Sequence, residues 1–134
     1  MTCRKPNLSD TYITLYECYK RLGYNSPENF LFQHLRSCGV NSEVLCKIGD
    51  NYLENKDYIK AIDYYKFALC CEKEWNGFIK PIYYYLYPNL QLVLCYYKLG
   101  DIEKSRFYHE KCMIEDMENK SVAYNQSFFE NLTK

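Results

Sequence analysis

The sequence predicts an all-α fold, a stack of three antiparallel helical hairpins followed by a C-terminal capping helix. Three observations carry this. Two segments superimpose at a shift of 44 residues: Ile48, Gly49, Tyr52, Asp57, Tyr58, Ala61, Tyr65 and Ala68 recur as Leu92, Val93, Tyr96, Asp101, Ile102, Ser105, His109 and Cys112. Repetition of this kind is the sequence mark of stacked helical units. No segment sustains period-2 alternation, so strands are not expected. The breaks between helical patterns are short, which forces consecutive helices to pack antiparallel.

The hairpins are expected at about 9–38, 42–73 and 88–115, within one domain covering 1–134. The first helix starts at Ser9 as N-cap, with Tyr12, Leu15, Tyr16, Tyr19 and Leu22 at 3–4 spacing, and ends at Gly23. Ser26 and Pro27 open the second as cap and first residue. Phe30, Leu31, His34, Leu35 and Cys38 run along one side of it, and Gly39 closes it. Asn41 and Ser42 begin the third, whose apolar stripe is Val44, Leu45, Ile48, Tyr52 and Leu53. Lys56 and Asp57 make the turn into the fourth, which runs from Tyr58 to Lys73 and buries Ile59, Ile62, Tyr64, Tyr65, Phe67, Ala68 and Leu69 in varying degrees. An aromatic insertion, 75–87, interrupts the pattern before Pro88 starts the fifth helix, which ends near Gly100. The sixth spans Ile102 to Glu115, and the capping helix spans 121–132 with Val122, Tyr124, Phe128, Phe129 and Leu132.

A chain of 134 residues is long enough for one core. Seventeen basic and seventeen acidic side chains cancel, which argues against nucleic acid as a partner. Eight cysteines include no CxxC pair, and most lie within helical patterns, so they read as buried reduced thiols acting as small hydrophobes. With two histidines and no Cys-His cluster, no metal is expected, nor any cofactor. Met1 leads straight into Thr2, Cys3 and Arg4 without a signal peptide, and no apolar run reaches a membrane span, so the expected location is the cytoplasm. His34 and His109 occupy packing positions and read as core histidines.

The second hairpin resembles a tetratricopeptide repeat. Gly49, Ala61 and Ala68 take the small positions, and Leu45, Ile48, Tyr52, Tyr58 and Tyr65 the large ones. Two helices approach closely only where side chains are short, and large aromatics fill the neighbouring holes. The third hairpin stretches this pattern with Val93, Ser105, His109 and Cys112. The step between the two exceeds the usual repeat of about 34 residues by about ten, a surplus that falls in the aromatic insertion.

A narrower resemblance covers roughly residues 42–132. The run Gly49–Leu69, then Trp75–Phe78, Pro88–Asp101 and Tyr124–Phe129, is similar in order to the C-terminal helical-repeat region of bacterial family-2 glycosyltransferases, including peptide S-glycosyltransferases. In that family the chemistry belongs to an N-terminal nucleotide-sugar domain with an Asp-x-Asp motif, and this chain has no such motif. The resemblance therefore implies a non-catalytic module accessory to a transferase, serving domain docking, dimerisation or acceptor holding. The alternative is a stand-alone adaptor that binds a peptide segment. No catalytic residue is assigned, since Glu115 and Asp116 are neighbours on a helix and cannot face each other.

Tetratricopeptide stacks hold extended peptides on the face lined by the first helix of each hairpin. In this register that face carries Thr14, Glu17, Arg21, Glu43, Lys47, Asp50, Glu54, Gln91, Leu94, Tyr97 and Lys98. The Lys/Asn/Arg clamp for a terminal carboxylate is not expected, because Cys46 and Asp50 stand where it needs Lys and Asn. The insertion offers a second candidate surface. Trp75, Phe78, Tyr84 and Tyr87 are the expected anchors for a transferase domain or a second copy in a homodimer, unless they fold back to fill the gap between hairpins. Phe128 and Phe129 add to that apolar area.

Overall fold

A computed structural model describes residues 6–71 and 81–132. All regular structure among them is helical: α1 (Pro6–Leu22), α2 (Asn29–Cys38), α3 (Ser42–Glu54), α4 (Tyr58–Leu69), a 3-10 turn (Pro81–Tyr84), α5 (Leu86–Lys98), α6 (Ile102–Asp116) and α7 (Lys120–Leu132). Each helix packs against its neighbour in sequence, and the 3-10 turn packs against α3, α4 and α5.

Three helix ends share one hydrogen-bonding pattern. The amides of Tyr24, Asp57 and Asp101 bond back to the carbonyls of Tyr19, Tyr52 and Tyr96. In each, the residue before that amide takes positive φ: Gly23 at 78°, Lys56 at 62° and Gly100 at 83°. A left-handed residue here lets the chain reverse while the last carbonyls keep partners. After two of these turns an aspartate caps the next helix at once, Asp57 accepting from the Lys60 amide and Asp101 from the Lys104 amide. After the third, Tyr24 stands at that place and cannot cap.

The late start of α2 follows from that. Ser26 and Pro27 were expected to begin the helix, but Ser26 takes φ 53° and α2 begins at Asn29. The residues between form turns, with Pro27 and Glu28 carbonyls accepting from Phe30 and Leu31. Helix α1 extends a turn earlier than expected, to Pro6, where a proline costs no hydrogen bond. Helix α4 stops short of the expected end, because the amides of Cys70 and Cys71 bond to carbonyls three residues back and tighten the last turn. Lys73 lies outside the described residues. Helix α5 begins at Leu86, two residues before Pro88, since the first amides of a helix have no partner within it. The expected boundaries at Gly39 and Asn41 are in place, and Asn41 caps α3 by accepting from the Val44 amide at 2.8 Å.

The main core joins Leu31 of α2, Val44, Leu45, Cys46 and Ile48 of α3, Ala61, Ile62, Tyr65 and Ala68 of α4, and Leu92, Cys95 and Tyr96 of α5. Gly49 lets α4 approach, for a Cβ there would meet Tyr65 Cε1 at 2.8 Å. The corresponding α5–α6 contact is tied by Ser105, whose hydroxyl donates to the Val93 carbonyl at 2.8 Å. Stacked tyrosines recur at the 44-residue shift: Tyr52 on Tyr64 and Tyr96 on Tyr108, both with ring centroids 5.5 Å apart. A smaller core of Leu86, Val93, Cys112, Val122 and Phe129 holds α7, which Asn119 caps by accepting from the amides of Ser121 and Val122.

Three burial expectations need correction. Ile59 and Phe67 are exposed rather than buried, because they lie off the Ala61–Ile62–Tyr65–Ala68 stripe on the outer side of α4. Cys18 and Cys70 are exposed and Cys38 and Cys71 half-buried, so among the described residues the buried-thiol reading fits Cys46, Cys95 and Cys112 only. Burial raises the thiol pKa of all three, to about 12 for Cys95 and Cys112, so they are inert hydrophobes rather than thiolates. Phe129 is buried between α6 and α7 rather than offered as surface.

Candidate functional site

The outward residues of α1 and α3 meet in a hollow of about 410 Å³ lined by Tyr16, Glu17, Lys20, Arg21, Lys47 and Asp50. Four of these, Glu17, Arg21, Lys47 and Asp50, are expected from the sequence, and the structure brings them together. Helical spacing places Glu17 and Arg21 one turn apart on α1, and Lys47 and Asp50 likewise on α3. Two ion pairs tie the helices: Lys47 to Glu17 at 3.0 Å, and Lys20 to Glu54. Burial presses Lys47 and Lys20 toward the neutral form, but these glutamates and nearby tyrosines hold both above the ordinary lysine range.

Asp50 forms the inner wall. Its Oδ1 accepts from the Tyr65 hydroxyl and its Oδ2 from the Tyr87 hydroxyl at 2.8 Å, and Tyr87 in turn accepts from Gln91 Nε2 at 2.8 Å. Burial raises the Asp50 pKa, opposed by the two tyrosine hydrogen bonds and by Lys47 and Lys20. Burial, reinforced by the same carboxylate, pushes both tyrosines well above the usual phenol range, so they are fixed donors. This chain of hydrogen bonds joins α3, α4 and α5 and brings the expected Gln91 into the site.

Beyond it, Leu90, Val93, Leu94 and Tyr97 of α5 and Tyr124, Asn125, Phe128 and Phe129 of α7 line an apolar groove of about 280 Å³, with Ser105 at its base. Tyr97 meets Phe128 edge-on at 5.2 Å. The residues expected on one face therefore divide between a charged hollow on α1 and α3 and an apolar groove on α5 and α7. Lys98 and Thr14 are exposed and line neither.

The insertion requires a correction. Tyr84 is buried, and Tyr87 is half-buried and held by Asp50 and Gln91, so neither stands out as a docking anchor. The 3-10 turn instead lays its aromatics onto α3: Tyr83 packs on Tyr87 at 5.3 Å, with Lys47 over its ring at 5.8 Å. Trp75 and Phe78 lie outside the described residues.

Tyr16 and Lys20 of the hollow, and Tyr124 and Asn125 of the groove, are absent from the sequence-derived set. Tyr16 reads from its spacing as core, and it is buried, yet its edge reaches the hollow. Lys20 lies one turn from Tyr16, with its ammonium 5.6 Å from that ring, and this spacing could have revealed it. The two histidines are buried as expected, His109 bonding Gln126 at 2.7 Å.

Among the described residues no group of three His, Cys, Asp or Glu side chains could hold a metal ion, and no helix is long and apolar enough to cross a membrane. No protein-family model and no curated protein matches the chain.

Proposed function

We propose that the chain is a tetratricopeptide-like interaction module without chemistry of its own, which holds an extended segment of a partner protein along the face formed by α1, α3 and α5. One observation supports this reading above the others. Outward residues of α1 and α3, namely Glu17, Arg21, Lys47 and Asp50, meet in one hollow, and Leu94 and Tyr97 of α5 line a separate groove. A charged hollow and an apolar groove on one module suit a partner segment carrying side chains of both kinds. The recurring turns at Gly23, Lys56 and Gly100, and the recurring tyrosine stacks, support the hairpin-stack reading.

The partner we propose is a family-2 glycosyltransferase domain, on the strength of the sequence resemblance across residues 42–132. In that setting the module docks the transferase domain or positions its acceptor in the cytoplasm of a bacterium. The burial of Tyr84 and the bonding of Tyr87 favour the first-helix face over the insertion as the contact surface.

The test is a titration with overlapping peptides tiled from the nucleotide-sugar domain of such a transferase, followed by amide chemical shifts. Binding that shifts α1, α3 and α5 around Arg21, Lys47 and Tyr97 is expected. Shifts confined to the outer side, around Phe67, Phe107 and Ile114, or no binding by any peptide, would overturn the reading.

A further inference from the structure

The first hairpin is bound tightly within itself and lightly to the rest of the molecule. Within it, the Tyr12 hydroxyl meets the Ser37 hydroxyl at 3.3 Å. The Tyr12 ring meets the His34 ring edge-on at 6.3 Å, and Tyr19 meets Phe30 edge-on at 4.8 Å. These contacts hold α1 and α2 as one body. Toward the rest, Tyr16 and Leu31 are the buried hydrophobics that the pair gives to the main core among the described residues, with Phe30, Phe32 and Leu35 partly buried at its edge. The seam of α2 on α3 is far shorter than that of α3 on α4 or of α4 on α5. Two ion pairs then bridge α1 to α3, Lys47 with Glu17 and Lys20 with Glu54. The link between the two bodies is Gly39, Val40 and Asn41. Gly39 holds φ 83° and ψ −171°, torsions open essentially to glycine alone, and a Cβ there would meet no atom within 4 Å. Val40 is exposed and Asn41 extended. A short, unpacked link of this kind can absorb rotation between the bodies it joins.

We propose that the α1–α2 hairpin is a hinged arm, pivoting at Gly39–Asn41 and latched to α3 by the Lys47–Glu17 and Lys20–Glu54 ion pairs. The hollow lies across this latch. Tyr16, Glu17, Lys20 and Arg21 come from the arm and Lys47 and Asp50 from the body, so the position of the arm sets its width. The latch suits a reversible device. The side chains of Glu17, Lys20 and Glu54 are 48%, 38% and 53% exposed, and pairs this open shift an equilibrium by only a few fold each, which salt can cancel. The apolar seam around Leu31 keeps the closed form dominant, since opening uncovers it. The device governs the candidate site but rests on helix packing alone, so it can fail while the peptide-binding reading stands.

Amide hydrogen exchange of the full chain, read helix by helix at fixed pH, tests it. Raising sodium chloride from about 0.01 M to about 1 M cuts the screening length from about 30 Å to about 3 Å. Amides of α1 and α2 should then exchange severalfold faster, and together, while those of α3 and α4 keep their rates. Glu17→Gln combined with Glu54→Gln should give the same gain at low salt and leave little further response to salt. Glu103→Gln, at an exposed acid of α6, should change neither the arm nor its salt response. Arm amides that exchange at the rate of α3 and α4, a gain in α1 without α2, or no response to salt would overturn the proposal. A rise in all four helices at once would show overall loosening in place of a hinge, and would overturn it too.

Discussion

Helices α3 and α4 and helices α5 and α6 solve one packing problem in two ways. Their turns match, with Lys56 and Gly100 both left-handed and Asp57 and Asp101 both capping. Their flanks match too: Lys60 sits over the Tyr52 ring and Lys104 over the Tyr96 ring, at 5.5 and 5.6 Å. They differ at the point of closest approach. The first pair has bare Gly49 against the Tyr65 ring, and the second has Val93 with the Ser105 hydroxyl on its carbonyl. They also differ on the outward side, where Asp50 corresponds to Leu94. The lesson is that the turn and the aromatic stack recur between the two helix pairs, while the residues at the crossing and on the outward side vary and give each pair its own surface.

Exchanging parts between the two pairs tests this. The largest effect should come from Gly49→Val, which installs the residue of α5. Its Cβ would overlap Tyr65, and a loss of about 3 kcal/mol in urea denaturation is expected, far above the few tenths gained in helix propensity. Near-parent stability would mean that the first crossing has the slack of the second. Tyr65→Phe should cost about 2 kcal/mol, since it strips a hydrogen bond from a half-buried carboxylate, and the Asp50 pKa should rise further. A Tyr65→Phe variant as stable as the parent would show that Tyr87 alone satisfies Asp50.

The turns come next. Gly100→Ala forces an L-residue into φ 83° and should lower stability by about 1 kcal/mol, whereas Lys56→Gly should raise it by less than about 1 kcal/mol, strain relief being partly offset by a looser unfolded chain. Equal and opposite shifts would refine the estimate, and shifts of one sign would break the equivalence of the turns. The smallest effect is a slope. Asp50 has a folded pKa raised above its unfolded value, so its folded state holds the extra proton between the two. Its contribution is fully present below the unfolded value and is lost as pH rises through the folded one. Melting temperatures of the parent and Asp50→Asn should therefore converge toward acid pH and part as pH rises into the neutral range. Parallel curves would show that the acid is solvated.

Much of the fold is legible in single residues whose job is local. Asn41, Asp57 and Asp101 cap because their side chains reach an amide three residues on, and Gly23 and Gly100 end helices because they accept positive φ. Ser26 misleads because a good cap residue can equally occupy a turn. Half of the site is legible by spacing alone, with Glu17 and Arg21 on α1 and Lys47 and Asp50 on α3. The rest depends on approach between distant segments. Tyr84 and Tyr87 look the same in sequence as surface tyrosines, since an aromatic with one hydroxyl serves a core or an interface equally. Only the placement of the 3-10 turn on α3 brings Tyr87 to Asp50. The apolar groove needs α7 to return beside α5, which no local pattern encodes.

The neighbour-to-neighbour packing of the helices has a kinetic consequence. Contacts close in sequence need little loop closure, so a domain built from them belongs among fast folders with low contact order. It can also open piecemeal, α7 releasing its small core of Val122 and Phe129 while the Leu31–Tyr96 core stays shut. Amide protons of α7 should then exchange before those of α3 and α4, and the groove that α7 half forms would be assembled and dissolved many times within the lifetime of one folded molecule.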